Sequence, residues 1–323
     1  MKKTARGSAA KGSVAVIGLG IMGSSIAANL VKAGFRVRGY DVVAARRNAL
    51  VRAGGTAAAS VAEAVKGCTR VITSLPSPGA LDAVAEQLAG HAGRSTVVAE
   101  VSTLTIADKE RVRARLAGSG IELLDCPLSG TGAQARVGDL AVYASGSPAA
   151  IRRMKPVFAG FARVQYDLGT FSNGMKMKLV ANLLVAIHNV SAAEAVLLGT
   201  RSGLDADTIV RVVADGAGGS RMLQVRGPMM ARRNYLPATM KMEVWQKDMA
   251  IIAGLLKEVG AAAPLFTATV PIYDAAMALG MEEQDTGGVL AVLERWSSPA
   301  AKPARPARIG RVARPARPAK RKK

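Results

Sequence analysis

Residues Val14–Asp41 read VAVIGLGIMGSSIAANLVKAGFRVRGYD, and this stretch decides the fold of the first half of the chain. An apolar run at Val14–Ile17 leads into a glycine-rich turn, which is followed by a stretch with helical spacing of its apolar residues. A second apolar run, Val37–Tyr40, ends in Asp41. The order is therefore strand, glycine turn, helix, strand and acid.

The turn consists of Gly18, Leu19, Gly20, Ile21, Met22 and Gly23. Its first glycine permits a tight turn, the second leaves room for a pyrophosphate, and the third allows close packing of helix on strand. Free N–H groups at the helix start face the phosphates, and Asp41 accepts hydrogen bonds from a ribose diol. A glycine motif alone is weak, but its context here predicts a dinucleotide-binding fold with these residues on the cofactor.

The composition limits the class of protein. With 323 residues and half of them hydrophobic, the chain is long enough for about two domains with real cores. Neither Cys68 nor Cys126 lies in a metal-binding pattern, and His91 and His188 are the only histidines, so no metal site is expected. We see no signal peptide and no run of about 18 apolar residues, and we expect a cytoplasmic protein without a membrane span.

The net charge of +21 arises mostly in two segments. Residues 1–12 and 298–323 hold 14 of the 44 basic residues and no acidic residue. The last segment repeats Pro-Ala-Arg or Pro-Ala-Lys, at 303–305, 306–308, 315–317 and 318–320. Such a composition cannot form a core, so we expect 1–12 and 297–323 to be disordered basic tails.

Between the tails, residues 13–172 alternate strand-like and helix-like segments. The candidate strands are Val14–Ile17, Val37–Tyr40, Val71–Ser74, Thr96–Glu100, Glu122–Asp125 and Leu140–Ala144. Helical stretches such as Ser60–Gly67, Ala80–Leu88 and Ala107–Ala117 separate most of them. This rhythm predicts an α/β fold, a Rossmann domain with a largely parallel, doubly wound sheet.

Residues 173–296 have a different pattern, which predicts an all-helical domain. We expect this domain to carry the substrate and oligomer contacts. Gly174–Ser202 lacks proline and is apolar nearly all round, as in a long helix buried between two lobes. Further helices are expected at Asp205–Asp215, Met240–Gly260 and Pro264–Leu279.

Lys178 and Asn182 lie four residues apart on the long helix and so share one face. A lysine and an amide on an apolar helix are costly to bury without a purpose, and together they can hold a small polar substrate. Lys178 would exchange a proton with a substrate oxygen, which Asn182 would orient. The alternative is a lysine that reaches solvent beside an ordinary core amide.

Three segments follow strands, at the sheet edge where open α/β folds bind ligands. Asp125–Gly132 reads DCPLSGTG, and its Ser129, Gly130 and Thr131 offer hydroxyls and N–H groups for a carboxylate. The alternative there is a plain glycine-rich turn. The other two segments are Leu75-Pro76 and Ser102-Thr103.

Over residues 13–290 the chain resembles the β-hydroxyacid dehydrogenase family, which includes 3-hydroxyisobutyrate dehydrogenase, tartronate semialdehyde reductase and glyoxylate reductase. The resemblance rests on six motifs in the family's order: GLGIMG at 18–23, Leu75-Pro76, Ser102-Thr103, DCPLSGTGAQARVGDL at 125–140, Lys178 with Asn182, and Lys247-Asp248. Imine reductases share this architecture but usually lack the lysine.

The resemblance implies a role for each matching position. Lys178 matches the catalytic lysine and Asn182 its partner, while Ser129 and Gly130 match the loop that holds the substrate carboxylate. Thr103 and Leu75 match contacts to the nicotinamide half, and Lys247 matches a lysine near the cofactor and the substrate. Pro76, next to Leu75, is also expected to contact the cofactor. The implied reaction is a hydride transfer between a small hydroxy acid and its aldehyde or keto acid, in a homodimer or homotetramer.

The chain departs from the family pattern in the substrate region. Thr131 replaces the second glycine of Ser-Gly-Gly, Ser172 stands where glycine is usual, and the asparagine pair is reduced to Ala181-Asn182. The substrate therefore cannot be assigned by family alone.

The choice of cofactor stays open between NAD and NADP. Asp41 favours NAD because its charge repels a 2′-phosphate. Arg46 and Arg47 follow closely, and they either bind such a phosphate or are solvated charges on a helix.

A function of another class is also compatible with the sequence. The tail at 297–323 is of a kind that binds phosphate backbones, so the chain is alternatively a nucleic-acid-associated protein built on an enzyme scaffold. The tail has no aromatic residue after Trp296 to stack on bases, so such binding would be weak and non-specific. A solubilising extension is the simpler interpretation.

Overall fold

The computed structural model describes residues 11–297, and the predictions for the two tails lie outside these residues except at their innermost positions. The centre of the first half is a six-stranded, fully parallel sheet in the order β3-β2-β1-β4-β5-β6. Its strands are β1 (Ser13–Ile17), β2 (Arg36–Tyr40), β3 (Thr56–Ala57), β4 (Arg70–Thr73), β5 (Val97–Glu100) and β6 (Glu122–Asp125).

The sheet is covered on both faces, which confirms the doubly wound prediction. Along β1, Val14 and Val16 belong to one buried cluster, whereas Ala15 and Ile17 belong to another. Because neighbouring residues of a strand point to opposite faces, the two clusters are the cores above and below the sheet. The strand order reverses between β1 and β4, where ligands of such sheets bind.

Seven helices accompany the strands of this half. They are α1 (Ile21–Lys32), α2 (Ala44–Arg52), α3 (Val61–Val65), α4 (Pro78–His91), α5 (Ile106–Gly118), α6 (Gly132–Arg136) and α7 (Pro148–Phe158). Ser77 and Thr105 cap α4 and α5 by accepting a hydrogen bond from the main chain three residues on. These caps fix where both helices start, next to the carboxyl ends of β4 and β5.

A second, three-stranded sheet corrects one prediction. Leu140–Ala144 was expected as a strand of the parallel sheet, but β8 (Ala141–Ala144) pairs antiparallel with β7 (Leu128–Ser129) and parallel with β9 (Val164–Asp167). The sixth strand of the main sheet is instead the two-residue β3. A strand's apolar pattern does not reveal its partners, so the sequence alone could not separate the two sheets.

Residues 173–297 are helical, as predicted. The helices are α8 (Asn173–Arg201), α9 (Ala206–Asp215), α10 (Arg221–Arg232), α11 (Met242–Val259), α12 (Pro264–Ala278) and α13 (Val289–Trp296), with a short 3-10 turn at Thr286–Gly288. The chain divides into two compact units, one of residues up to 187 with 237–286, the other of 188–236 with the rest from 287. The first unit holds the parallel sheet, the start of α8, α11 and α12.

Helix α8 is not buried all round, so that prediction is wrong for one of its faces. Met177, Val180 and Leu184 are 43, 56 and 46% exposed and lie along one stripe. A helix that is apolar on every side does not have to be covered on every side within one chain.

By length and composition, α8 also passes the test for a membrane-crossing helix, with a mean hydropathy of 1.5 over 18 residues. The sequence prediction considered unbroken apolar runs, which Lys178 and Asn182 interrupt. A core helix passes the same test, and Asn182 is buried and hydrogen-bonded within the protein. Composition is therefore weak support for a membrane span.

Candidate active site

The glycine turn has the geometry that a bound pyrophosphate requires. Gly18 has φ of +88°, and a Cβ there would clash with the main-chain oxygen of Ser74. A Cβ at Gly20 would meet nothing within 4 Å, so the space before it is open. Gly20 also precedes α1, whose first turn has no acidic residue and no side-chain cap. The N–H groups of Ile21 and Met22 are thus at a helix start that suits an anion.

Asp41 lies directly beside this turn. Its Oδ2 accepts a hydrogen bond of 2.7 Å from the N–H of Leu19, and its Oδ1 accepts one of 2.8 Å from Val43. Arg46 Nη1 lies 3.4 Å from both carboxylate oxygens, and Arg47 donates to the main-chain oxygen of Asp41. The carboxylate is therefore fixed beside the glycine turn by two N–H groups, with one arginine close to it.

The two segments predicted near the nicotinamide are joined to each other. The hydroxyl of Ser102 accepts a hydrogen bond of 2.7 Å from the N–H of Leu75. The main-chain oxygen of the next residue, Thr103, accepts a hydrogen bond from Lys247 Nζ. Leu75, Thr103 and Lys247 therefore lie close together, and Pro76 follows directly after Leu75.

The 129–131 loop directly precedes α6. Gly130 has φ of +138°, and a Cβ there would lie 2.6 Å from Leu140 Cδ2. Thr131 caps α6, and its hydroxyl lies 3.3 Å from Gln134 Oε1 and accepts from the Gln134 N–H. That hydroxyl is thus used inside the loop, whereas the hydroxyl of Ser129 has no partner among the described residues. No hydrogen bond in the described chain joins this loop to Lys178 or Asn182.

Lys178 is partly buried on the first half of α8. Within residues 11–297, its ammonium group makes no hydrogen bond or ion pair. Burial, reinforced by the positive charge of Lys247, lowers the pKa of Lys178, although the carboxylate of Asp248 acts in the opposite direction. An amine with a lowered pKa and no fixed partner gives up and accepts a proton more readily than an ordinary lysine does.

Asp248 connects the predicted residues around this lysine. Its Oδ2 accepts a hydrogen bond of 2.9 Å from Asn182 Nδ2, and its Oδ1 lies 2.9 Å from Lys247 Nζ. Asn182 and Asp248 are both buried, whereas the Lys247 side chain is 37% exposed. We call Lys178, Asn182, Lys247 and Asp248 the open lysine cluster.

A second cluster lies under the ends of β5 and β6 and was missed by the sequence reasoning. Lys109 Nζ lies 2.7 Å from Glu100 Oε2 and 2.7 Å from Asp125 Oδ1, and all three side chains are fully buried. Burial alone would lower the pKa of Lys109, but the carboxylates of Asp125 and Glu100 raise it above its ordinary value. We call these three residues the closed lysine cluster.

Signals for both missed carboxylates were present in the sequence. Glu100 and Asp125 each end a strand with an otherwise apolar pattern, and a charge at such a position needs a buried partner. Asp248 sits in the Lys247-Asp248 motif, where only the lysine received a role. The sequence did not indicate which cation pairs with which acid.

A cavity of about 570 Å³ in the first unit borders Lys247 but not Lys178, Asn182 or Ser129. Its lining is mostly apolar and includes Leu104, Ile106, Leu179, Ile251 and Leu255. It adjoins the open lysine cluster through Lys247, but Lys178 does not line it. In residues 11–297, no group of three or more metal-binding side chains is found.

Comparison with known proteins places this site in a family. A model of the NAD binding domain of 6-phosphogluconate dehydrogenase matches residues 13–171. A model described as NAD-binding of NADP-dependent 3-hydroxyisobutyrate dehydrogenase matches residues 172–293. Together the two models span almost the whole described chain.

Individual relatives agree with these models. Glyoxylate/succinic semialdehyde reductase 1 of Arabidopsis thaliana is 30% identical over 87% of this chain and 98% of its own length. The NAD-dependent L-serine dehydrogenase of Pseudomonas aeruginosa is 28% identical over 84% of this chain and 94% of its own. The crystal structure of 3-hydroxyisobutyrate dehydrogenase from Salmonella typhimurium has a TM-score of 0.80 at 28% identity, covering 87 and 99% of the two chains.

The fold, the glycine turn and these matches define an NAD(P)-dependent oxidoreductase that acts on hydroxy acids. Its residues fit the cofactor, since the open space at Gly20 and the carboxylate of Asp41 stand where a dinucleotide needs them. The chain belongs to the β-hydroxyacid dehydrogenase family.

Proposed function

We propose that the chain interconverts a small 3-hydroxy or 2-hydroxy carboxylic acid and the matching semialdehyde or keto acid, with Lys178 as the general acid and base. Residues 13–172 would bind the cofactor, and residues 173–296 would carry the substrate and oligomer contacts. When bound, the nicotinamide supplies or accepts the hydride.

The state of the Lys178 amine carries this proposal. The group is partly buried, has a lowered pKa and has no partner among the described residues, although two charged side chains lie near it. A structural lysine at such a position would be expected to bind an acid, as Lys109 does. An amine left without a partner is free to bind and exchange a proton with a substrate oxygen.

In the reducing direction, Lys178 Nζ donates a proton to the carbonyl oxygen of the substrate as the carbon accepts the hydride. In the oxidising direction, the neutral amine removes the proton from the hydroxyl group. Asn182 is held by Asp248 through its Nδ2, which leaves its Oδ1 to accept a hydrogen bond. Asp248 thus orients the amide and tunes the charge around the lysine.

The carboxylate of the substrate would bind at the 129–131 loop. Ser129 has a hydroxyl without a partner in the described chain. Gly130 has a positive φ, which glycine adopts readily, and this conformation sets the direction of its N–H. Thr131 contributes through its position in the loop, since its hydroxyl is already used in the α6 cap.

We propose NAD as the preferred cofactor. Asp41 accepts hydrogen bonds and would repel a 2′-phosphate. Arg46 is 51% exposed at its side chain and stands next to that carboxylate, so NADP would be used less well rather than excluded.

The test is a comparison of two neighbouring lysine variants, Lys178→Ala and Lys176→Ala. Substrates are screened first: glyoxylate, the semialdehydes of succinate, tartronate and methylmalonate, L-serine and L-threonate. For the best substrate, Lys178→Ala is expected to lower kcat/KM by about 10²- to 10⁴-fold, the usual range for a proton-transfer group. Lys176 is exposed on the same helix, and its variant should match the wild type. Equal activity of both variants would contradict the proposal.

A homodimer or homotetramer is the proposed assembly. The exposed stripe of Met177, Val180 and Leu184 on α8 supports it, because a second copy would cover this apolar surface. Light scattering of the full chain is expected to give at least twice the monomer mass of 33.3 kDa, and a monomer would contradict it.

Weak binding of nucleic acid by residues 297–323 stays a prediction, because almost all of this tail lies outside the described residues. A gel shift of the full chain beside residues 1–296, over a range of salt concentrations, tests it. Binding that persists without the tail would refute a role for the tail.

A further inference from the structure

The closed lysine cluster reaches the nicotinamide side of the site through Glu100. The Oε2 atom of this residue faces Lys109, and its Oε1 accepts a hydrogen bond of 2.9 Å from the N–H of Ser102. The hydroxyl of Ser102 in turn accepts a hydrogen bond of 2.7 Å from the N–H of Leu75. One face of the cluster therefore holds two of the segments predicted near the nicotinamide.

The same cluster reaches the start of α8 through Asp125. Its Oδ2 accepts a hydrogen bond of 2.7 Å from the N–H of Met175, in the first turn of α8. Ser145 Oγ lies 3.3 Å from Asp125 Oδ2. It also accepts a hydrogen bond of 2.9 Å from the N–H of Gly174. Lys178 is the third residue after Met175, so this face of the cluster fixes the turn that presents the proton-exchanging amine.

A second link between α5 and the start of α8 lies next to the one through Asp125. Glu110, the residue after Lys109, accepts a hydrogen bond of 2.6 Å from the hydroxyl of Ser172. Ser172 is buried and has φ of +76°, a conformation that costs a non-glycine residue energy unless its surroundings hold it. Two successive residues of α5 thus define where α8 begins.

We propose that Lys109 is a positioning residue, which ties the Leu75–Ser102 segments to the first turn of α8 and so sets Lys178 relative to the cofactor. The inference rests on the proposed role of Lys178. Lys109 touches neither substrate nor cofactor and acts through Glu100 and Asp125. Without its ammonium, two fully buried carboxylates would face each other, and their repulsion would separate Glu100, which holds the Ser102 N–H, from Asp125, which holds the Met175 N–H.

Hydrogen exchange tests the coupling without any need for activity. In Lys109→Met, the amides of Leu75 and Ser102 and those of Gly174 and Met175 are expected to exchange about 10-fold faster, since both sets lose their fixed acceptors. Arg115→Met removes an exposed charge from the same helix and should change none of them. Faster exchange at one set alone, or at neither, would overturn the proposal.

A double variant, Lys109→Met with Glu100→Gln, separates positioning from charge. It keeps the net charge of the cluster and leaves each segment an acceptor, but it removes the tie between them. We expect kcat to fall about 10- to 100-fold, with NADH affinity within about 3-fold and a larger isotope effect from deuterated NADH, as misplaced reacting groups predict. Lys109→Arg, which keeps the cation, should recover part of the rate.

Each remaining outcome has a meaning. A double variant with the wild-type rate and isotope effect would overturn the positioning role. If neither variant folds, the cluster is purely structural and the proposal is also overturned. If the wild type reduces none of the screened substrates, the proposed function fails, whereas the exchange measurement still decides whether Lys109 couples the two segments.

Discussion

The first unit contains two clusters in which a buried or partly buried lysine lies near carboxylates, and they differ in what the lysine can do. In the closed cluster, Lys109 is fully buried between two carboxylates, which raise its pKa. In the open cluster, Lys178 has no partner among the described residues, and burial lowers its pKa. The acid of the open cluster, Asp248, is bound by Asn182 and Lys247 instead.

The difference shows how the fold assigns a task to a lysine. Two acids on one buried lysine keep it charged at every physiological pH, so it can only hold structure together. An acid that is shared with an amide and a second lysine leaves the first amine available and easier to deprotonate. The position of the carboxylates, rather than the depth of burial alone, separates the two lysines.

The largest expected difference between the two clusters is in the stability that each lysine contributes. Lys109→Met should lower the free energy of unfolding by about 3–5 kcal/mol, as removal of one partner of a buried ion pair does. Lys178→Ala should change it by no more than about 1 kcal/mol, because no ion pair is lost. Urea unfolding at pH 7 measures both. Similar losses from the two variants would erase the distinction between the clusters.

Two variants of the open cluster should shift the pH dependence in opposite directions. In the proposed mechanism, reduction needs a protonated Lys178, so the rate is expected to fall as pH rises through the pKa of this group. The Asp248 carboxylate raises that pKa and the Lys247 charge lowers it. Asp248→Asn should therefore move the fall in kcat to lower pH, and Lys247→Met to higher pH. Profiles that move in the same direction would exclude Lys178 as the titrating group.

The carboxylate of Asp41 extends the comparison to the cofactor, since it too is held by N–H donors with a cation close by. Asp41→Asn is expected to lower kcat/KM for NADH about 10-fold, the scale of one lost hydrogen bond to a charged group, and to leave NADPH within about 3-fold. Steady-state kinetics with both cofactors check this. A wild-type enzyme that strongly prefers NADPH would overturn the proposed preference for NAD.

The smallest effect, on stability, is expected at Ser172, which forms the second link between α5 and the start of α8. Ser172→Ala keeps the unfavourable φ and loses the hydrogen bond to Glu110, so it should cost about 1–2 kcal/mol. Ser172→Gly loses the same bond but relieves the strain, and its net cost should stay below about 1 kcal/mol. Thermal unfolding of both variants measures these costs. An alanine variant more stable than the glycine variant would contradict the account.

Much of the fold was predictable, because its signals are local. Glycine turns, apolar strands and helical spacing located five strands of the main sheet and the long helix to within a few residues. The pairing of Leu140–Ala144 and helix α10 were not found. Strand pairing is set by tertiary packing, and α10 contains Gly227 and Pro228, which interrupt a helical pattern.

The candidate site was predictable in its residues but not in its connections. Lys178, Asn182 and Lys247 were named from spacing and family resemblance, and the structure joins the last two through Asp248. The link from Lys109 to the start of α8 passes between residues far apart in the chain, and no local pattern records it. Their roles in binding and catalysis stay predictions.

Competitive labelling of every lysine with trace acetic anhydride, followed by mass spectrometry across pH, compares the two clusters in one experiment. The rate at each lysine reports both the access to its amine and the pKa of that amine. The account predicts that Lys178 is labelled with a pKa below the ordinary value of an exposed lysine, while Lys109 stays unlabelled in the folded protein. A Lys178 that titrates like an ordinary exposed lysine, or a Lys109 that is labelled as readily as one, would contradict it.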